Sequence, residues 1–383
     1  MSAVARPLTP AVPASPAADT IRVMVVDDAV VVRGLLGRWL AEEPGIDVIG
    51  AYRNGKLAVE ALDTIDPHVI ILDIEMPEMD GLTALPLLLK KKPRAAVIMA
   101  STLTQRNAEV SLRAMGLGAR DYVPKPEGNA GVTTSVEFRR DIIAKVRAIG
   151  GRVAGVGAAP ARPAAARPSA SAPSLLSQKP FALRRFNPAV PRILAIGSST
   201  GGPQALMSFF EAAGSDLASI PIVLAQHMPA TFTPILAQHL ARSSGLEARE
   251  GADGEPLKPG VIYVAPGGRH MVLGGTASSP QISLKDGAPI NFCKPAVDPM
   301  FETVAALYKS AALAIVFTGM GNDGAAGAKV VADAGGNVIA QDEETSVVWG
   351  MPGATAQIGA AAAVLPLPQI APKVRSIVKG TRV

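Results

Sequence analysis

Two stretches of the chain alternate short apolar runs with segments of helical spacing, and a proline-rich segment without such a pattern separates them. In the first stretch, from Ile21 to about Gly150, each strand-length apolar run is followed by a helical segment. Serial strand–helix units of this kind predict a parallel sheet covered by helices on both faces. The predicted strands are Arg22–Val26, Ile46–Ala51, His68–Leu72, Ala95–Ala100 and Arg120–Val123, and the predicted helices are Val30–Ala41, Gly55–Thr64, Leu82–Lys90, Gln105–Met115 and Val136–Ala148.

The same rhythm resumes at Arg192 and continues to the end of the chain. The predicted buried strands of this second stretch are Ile193–Ile196, Ile222–Ala225, Val261–Val264, Ala314–Phe317 and Asn337–Ala340. We therefore predict the α/β fold class with two parallel-sheet domains. The first is five-stranded and flavodoxin-like, and the second is a larger, doubly wound, Rossmann-like domain.

Composition places the domain boundaries. A length of 383 residues suits two domains. Residues 1–20 are rich in Ala, Pro and Ser and are predicted to be a disordered tail, and 151–191 are predicted to be a flexible linker. The two domains are then residues 21–150 and 192–383.

The positive charge of the chain is concentrated near this linker. The formal net charge is +5, but residues 151–192 contain no acidic residue and carry Arg152, Arg162, Arg167, Lys179, Arg184, Arg185 and Arg192. No interleaving of aromatic and basic residues accompanies them, so we predict no nucleic-acid partner. The chain has a single cysteine, no signal segment and no long apolar run. We therefore predict a monomeric cytoplasmic protein without direct membrane insertion.

Acidic residues follow two predicted strands of the first domain. Asp27 and Asp28 come directly after the first strand, and Asp73 ends the third. Ser101 follows the fourth strand and Lys125 follows the fifth, at the same edge of the sheet. Crowded carboxylates are unfavourable unless a cation neutralises them, and oxygen ligands favour Mg²⁺. A single Asp in such a place is most often a turn or cap residue, but the group together predicts phosphoryl transfer to Asp73.

These segments resemble the response-regulator receiver family over residues 21–148. The matching motifs are Val25–Asp28, Ile71–Pro77 with Asp80–Gly81, Met99–Thr102 and Val123–Pro126. The resemblance implies that Asp73 is the phosphoacceptor. The Mg²⁺ ligands that it implies are Asp28, Asp73 and the main-chain carbonyl of Glu75, with Asp27 acting through water. The phosphoryl-sensing residues that it implies are Ser101, Lys125 and the aromatic switch Tyr122.

A glycine-rich turn marks the start of the second domain. The first strand there runs into Gly197–Gly202, of the form G-x-S-x-G, which exposes a serine, Ser199, close to a helix N-terminus. Such a turn could also cradle a phosphate, although the G-x-G-x-x-G spacing is absent. A nucleophilic serine requires a base and a carboxylate that orients it.

The chain has only four histidines to supply that base. His227 directly follows the second strand of this domain and His270 lies in a loop, so His227 is the better candidate on position. Asp323 is the only acid in the turn Thr318–Gly324, although a turn Asp is often only a cap. Cys293 has no histidine beside it in the sequence and is predicted to be structural.

The second domain resembles the chemotaxis protein-glutamate methylesterase family. The matching motifs are Ala195–Pro203, Gln226–Pro229, Tyr263–Met271, Phe317–Gly324, Ala340–Glu343 and Gly350–Pro352. The resemblance implies that Ser199 is the nucleophile, His227 the base, Asp323 the orienting acid and the Met320 N–H an oxyanion donor. The esterase itself would need no cofactor.

The two resemblances together imply a phosphorylation-activated serine hydrolase. It would hydrolyse glutamate γ-methyl esters on the cytoplasmic domain of chemoreceptors, deamidate receptor glutamines and receive its phosphoryl group from a chemotaxis histidine kinase. We hypothesise that the unphosphorylated first domain covers the esterase cleft. Two alternatives remain open from the residues alone: a response regulator with a non-catalytic second domain, and an esterase of the same fold with another substrate.

Overall fold

The computed structural model describes residues 20–126, 135–155 and 181–381. The predicted tail, apart from Thr20, and most of the predicted linker lie outside these residues. Within them, no helix is both long enough and apolar enough to cross a membrane.

The first domain is a five-stranded parallel sheet with the order β2-β1-β3-β4-β5. Its strands are β1 (Ile21–Val26), β2 (Ile46–Tyr52), β3 (Val69–Asp73), β4 (Ala96–Thr102) and β5 (Asp121–Lys125). Its helices are α1 (Val30–Ala41), α2 (Gly55–Ala61), α3 (Gly81–Lys91), α4 (Gln105–Gly116) and α5 (Val136–Ala154). All residues of β3 are buried, because helices cover both faces of the sheet. The predicted flavodoxin-like fold is confirmed.

The second domain is built on a seven-stranded parallel sheet with the order β14-β13-β12-β6-β7-β9-β8. Its strands are β6 (Ile193–Ser198), β7 (Ile222–Gln226), β8 (Glu247–Glu250), β9 (Val261–Val264), β12 (Ala312–Val316), β13 (Asn337–Gln341) and β14 (Ala363–Leu365). The strand order reverses on either side of β6, as in doubly wound folds, which confirms the predicted class. Ligands in such sheets bind beyond the carboxyl ends of the strands near this reversal.

Helices cover both faces of this sheet. They are α6 (Gly202–Ala213), α7 (Thr233–Ser244), α8 (Asp298–Tyr308), α9 (Ala325–Asp333), α10 (Met351–Gln357) and α11 (Leu367–Val378), with 3₁₀ turns at Gly214–Leu217 and Lys309–Ala311. A separate antiparallel hairpin pairs β10 (His270–Thr276) with β11 (Ser279–Lys285).

The bounds predicted for the linker, 151 and 191, need correction. Helix α5 continues to Ala154, where Gly155 in the left-handed conformation ends it. Before β6, the Arg184 N–H donates to the Ala361 carbonyl and the Asn187 N–H donates to the Asn337 side chain. Residues 181–191 therefore already belong to the second domain, because these hydrogen bonds satisfy backbone groups that a free linker would leave to water.

The two domains contact each other directly. The Tyr122 ring of β5 stacks on the Phe232 ring that precedes α7, with centroids 4.4 Å apart and planes 13° apart. Nearby, the α5 residue Arg140 lies over the ring of Phe292 at 4.3 Å. Helix α4 also contacts α6 and α7, so the face of the first domain formed by α4, β5 and α5 meets the second domain.

Candidate active site and acidic pocket

Three carboxylates meet at one edge of the first sheet. Asp27 and Asp28 follow β1 and Asp73 ends β3, and these two strands are parallel neighbours. One oxygen from each of the three side chains lies within 4.8 Å of the others. The structure thus brings together the three side chains that were predicted to bind Mg²⁺.

Lys125 supplies the positive charge in this pocket. Its Nζ lies 2.6 Å from Asp73 Oδ1 and 3.1 Å from Asp27 Oδ2. Burial raises the pKa of Asp73 to about 6; Lys125 opposes this rise and the Asp27 carboxylate adds to it. One ammonium cannot neutralise three carboxylates, so the residues fit a hard divalent cation.

The other predicted residues of the pocket differ in how the structure places them. Ser101 lies inside β4 rather than after it, is fully buried, and donates its hydroxyl to the Thr102 carbonyl at 3.3 Å. Tyr122 is buried and faces the second domain rather than the pocket. Glu75 was predicted to bind Mg²⁺ through its main-chain carbonyl, and this role stays a prediction.

Ser199 lies in the turn that joins β6 to α6. Its N–H donates to the Thr318 carbonyl at 3.0 Å, and its carbonyl accepts hydrogen bonds from Gly202 N–H at 2.7 Å and Gln226 Nε2 at 3.0 Å. A Cβ on Gly202 would collide with the Gln226 side chain, and one on Gly319 would lie 2.8 Å from Ser199 Cβ. The glycines are therefore required by close packing around the serine.

Asp323 and His227 form a buried pair beside this turn. His227 Nε2 donates to Asp323 Oδ2 at 2.7 Å. The same carboxylate accepts N–H groups from Val297 at 2.7 Å, Asp298 at 3.1 Å and Gly324 at 2.9 Å. Burial opposes the charge of Asp323, but the hydrogen bond from His227 and those from the backbone outweigh it and lower its pKa. Asp323 is thus a fixed carboxylate that orients the imidazole.

The second nitrogen of His227 is also occupied. Cys293 Sγ lies 3.2 Å from His227 Nδ1, so Cys293 contacts the candidate base although no histidine stands beside it in the sequence; its structural role stays a prediction. Sequence distance concealed the contact, because the loop that carries Cys293 folds back over the cleft. Burial disfavours the charged imidazolium, but the hydrogen bonds to Asp323 and Cys293 prevail and raise the pKa of His227 to about 9.

His270 has a structural environment. Its Nε2 lies 3.0 Å from the Ala288 carbonyl and its Nδ1 accepts the Ala296 N–H at 3.2 Å. Both ring nitrogens are therefore engaged by backbone groups and neither contacts Asp323. The geometry favours His227 as the base.

Met320 lies on the turn after β12 that also carries Asp323. Within the described part of the chain, the Met320 N–H donates to no protein acceptor. Met320 lines the same cleft as Ser199 and His227. A free N–H in this position fits an oxyanion donor.

The cleft that contains these groups lies between the two domains and has a volume of about 960 Å³. From the second domain it is lined by residues that include Ser199, His227, Cys293 and Met320. From the first domain it is lined by residues of β5 and α5 that include Tyr122, Arg140, Asp141 and Lys145. The first domain therefore lies across the mouth of the candidate active site.

Comparisons with known proteins agree with both halves of the chain. The sequence model of the response regulator receiver domain matches residues 23–137, and that of CheB methylesterase matches residues 194–374. A protein-glutamate methylesterase/protein-glutamine glutaminase of group 2 operon from Rhodopseudomonas palustris is 51% identical over 375 residues, which cover 95% of this chain and 96% of that protein. This chain belongs to the protein-glutamate methylesterase/protein-glutamine glutaminase family.

Two further proteins illustrate the similarity. Protein-glutamate methylesterase/protein-glutamine glutaminase 1 of Rhodospirillum rubrum is 52% identical over 361 residues, covering 92% of this chain and 93% of that protein. The Thermotoga maritima CheB methylesterase catalytic domain is 42% identical with a TM-score of 0.48, covering 50% of this chain and 100% of that one. By the two family models, the first domain of this methylesterase is a receiver and the second is its catalytic domain.

Sequence reasoning missed some residues that shape the site. Val297 and Asp298 hold Asp323 through backbone N–H groups at the start of α8, and Gln226 binds the turn of Ser199. Backbone donors carry no sequence signal. Gln226 stands next to His227 in the matching motif, and this adjacency was the one signal that could have identified it.

Proposed function

We propose that this chain hydrolyses glutamate γ-methyl esters on chemoreceptors, that it deamidates receptor glutamines, and that phosphorylation of Asp73 activates it. The observation that carries this proposal is the His227–Asp323 pair in one cleft with Ser199. The receiver's acidic pocket belongs to the same chain. Full-length relatives of this architecture bear both enzyme names.

The chemistry follows from the hydrogen bonds of His227. With Nε2–H held by Asp323, the neutral imidazole offers Nδ1 as its basic nitrogen. Ser199 Oγ attacks the ester carbonyl carbon while Nδ1 takes the hydroxyl proton. The imidazolium then gives this proton to the leaving methoxide oxygen, which departs as methanol.

A water molecule completes the cycle by the same steps. Nδ1 takes a proton from the water, whose oxygen attacks the acyl carbon, and Ser199 leaves with the proton returned. The products are a glutamate side chain and free enzyme. With a glutamine substrate, ammonia takes the place of methanol. The Met320 N–H stabilises the negative oxygen in each tetrahedral intermediate.

In the receiver, Asp73 accepts the phosphoryl group from a chemotaxis histidine kinase. Mg²⁺ bound by Asp28, Asp73 and the Glu75 carbonyl, with Asp27 nearby, would neutralise charge on the phosphoryl oxygens. Lys125, now 2.6 Å from Asp73, and the Ser101 hydroxyl contact the phosphoryl group. Their movement toward it disturbs β5, which carries Tyr122.

The Tyr122–Phe232 stack connects β5 to the esterase. Phe232 N–H donates to the Pro229 carbonyl at 2.9 Å, in the loop that follows His227. Movement of Tyr122 therefore acts on the loop beside the catalytic base and on the closure of the cleft. The protein is proposed to act as a cytoplasmic monomer, with residues 156–180 joining its two domains.

One experiment tests the function. Purified full-length protein is mixed with membranes that contain methylated chemoreceptor, and methanol release is measured alongside a Ser199→Ala variant. The wild-type protein is expected to release methanol and the variant to release none, while both still accept phosphate from the kinase. Equal release by both proteins would refute the assignment of Ser199, and no release by either would refute the esterase function.

A further inference from the structure

A tight turn at the rim of the cleft carries Cys293. Ile290 N–H donates to the Cys293 carbonyl at 3.0 Å, and Cys293 N–H donates to the Ile290 carbonyl at 2.8 Å. The two residues between them, Asn291 and Phe292, have φ angles of 49° and 65°. Positive φ at both central positions is typical of a type I′ turn, which fixes the direction of the residue that follows.

This turn directs the thiol of Cys293 at the catalytic base. Cys293 Sγ lies 3.2 Å from His227 Nδ1, while Nε2 donates to Asp323 at 2.7 Å. Each ring nitrogen has one hydrogen or one lone pair in the plane of the ring. Among the described residues, no hydrogen bond joins Ser199 to His227. The thiol thus occupies the nitrogen that Ser199 requires.

The conformation of Phe292 needs an external support. A bulky residue rarely adopts the left-handed region, where glycine is usual at this turn position. The Phe292 side chain is 79% exposed, so burial in the esterase does not hold it. The guanidinium of Arg140, from receiver helix α5, lies 4.3 Å from the centre of its ring, within the range of a cation–π contact.

We propose that Arg140, Phe292 and Cys293 form an inhibitory relay that holds the base nitrogen of His227 away from Ser199 until the receiver moves. This proposal rests on the proposed function and states how the esterase activity is regulated. Arg140 holds Phe292, the turn holds Cys293, and the Cys293 sulfur keeps its hydrogen bond with Nδ1. When the receiver shifts after phosphorylation, Arg140 leaves the ring, the turn relaxes, and Ser199 replaces the thiol at Nδ1. Cys293 is a positioning residue in this scheme.

The full-length protein offers matched variants for a test. Arg140→Ala removes the receiver contact, and Arg139→Ala removes the neighbouring charge, which pairs with Glu42 inside the receiver at 2.9 Å. Cys293→Ala removes the hydrogen bond with Nδ1, and Cys293→Ser keeps a hydroxyl that can form it. Methanol release from methylated chemoreceptor is measured with and without acetyl phosphate and Mg²⁺.

Without the phosphodonor, we expect Arg140→Ala to raise kcat by about 2- to 5-fold, the range of a partly exposed cation–π contact. Cys293→Ala should raise it by about 2- to 10-fold, the range of one hydrogen bond, with KM unchanged. Arg139→Ala and Cys293→Ser should stay at the wild-type rate. With the phosphodonor, all five proteins, the wild type included, should converge. Wild-type rates for both Arg140→Ala and Cys293→Ala, or an equal rise with and without phosphodonor, would overturn the relay.

A second readout does not depend on turnover. The ring-nitrogen NMR signals of His227 are assigned with a His227→Gln variant, which is practical because the chain has only four histidines. The signals should move in the same direction on Cys293→Ala, on Arg140→Ala and on phosphorylation, and stay in place on Arg139→Ala. Static signals would refute the relay even if no methanol were released, whereas absent methanol with moving signals would refute only the proposed esterase activity.

Discussion

The substitution Asp323→Asn removes the charge that holds the catalytic base and changes little in volume. Asp323 is 1% exposed and accepts hydrogen bonds from His227, Val297, Asp298 and Gly324. In asparagine, an NH₂ group replaces one of the two carboxylate oxygens that accept these hydrogen bonds. If that NH₂ group faces His227, Nε2 must accept its hydrogen bond through a lone pair. The ring proton then lies on Nδ1, so Nδ1 cannot act as the base.

The size of the effect follows from the pKa of His227. Burial alone would depress this pKa, yet the hydrogen bonds with Asp323 and Cys293 raise it from 6.5 to about 9. At about 1.4 kcal/mol for each pKa unit, the imidazolium is stabilised by about 3 kcal/mol. At a pH above 9, where the resting His227 is neutral, the imidazolium forms only during ester attack. Loss of most of this stabilisation then lowers kcat by roughly 100-fold, and the misplaced proton lowers it further.

The assay is methanol release from methylated chemoreceptor in the presence of a phosphodonor, at a pH just above 9 where His227 is neutral, with kcat and KM determined separately and spontaneous ester hydrolysis subtracted. We expect kcat to fall by at least about 100-fold with KM little changed. Asp216→Asn is the matched control, because this half-buried carboxylate pairs with Lys379 and does not line the cleft. Thermal unfolding separates a folding defect from a catalytic one. A folded Asp323→Asn protein with more than a third of the wild-type kcat would refute the reasoning.

Three further predictions concern the two sites and their connection. Without phosphodonor, methanol release should rise about tenfold per pH unit from pH 7 toward 9, because His227, with a pKa raised to about 9, must lose its proton to act as a base. Lys125→Ala should lower receiver stability by about 2 kcal/mol in thermal unfolding, since Asp27 and Asp73 lose their buried cation, and Mg²⁺ should restore part of it. Tyr122→Leu should raise the unstimulated methanol release by about 2- to 10-fold, because it removes the stack on Phe232.

A specific result would contradict each of these three predictions. A flat pH profile after correction for spontaneous ester hydrolysis would show that His227 is not protonated in the resting protein. Unchanged unfolding of Lys125→Ala would mean that the carboxylates do not depend on its charge. For Tyr122→Leu, a wild-type unstimulated rate would exclude the aromatic stack as a contact that restrains the esterase.

The central strands of both sheets could be found from sequence because their composition indicates burial on both faces. Val69–Asp73 and Ile222–Gln226 are fully buried and read as continuous apolar runs. Edge strand β8 was missed because Glu247–Glu250 has the sequence EARE and lies partly in solvent. The hairpin of β10 and β11 was missed because its strands lie outside the main sheet and carry mixed polarity.

The acidic pocket could be located from sequence because strand ends in a parallel sheet share an edge, which brought Asp27 and Asp73 together without any tertiary information. The contact of Cys293 with His227 could not be found this way. It depends on a turn with two positive φ angles and on the docking of the receiver. Neither the turn geometry nor the domain orientation leaves a periodic signal in the chain.

We propose above all that phosphorylation of Asp73 controls a hydrolase whose nucleophile is Ser199. The most direct test follows methanol release continuously in one sample of full-length protein and methylated chemoreceptor before and after addition of acetyl phosphate and Mg²⁺. We expect a rise in rate for the wild-type protein, no rise for Asp73→Asn, and no release at any time for Ser199→Ala. A rise of equal size in Asp73→Asn, or release by Ser199→Ala, would contradict it.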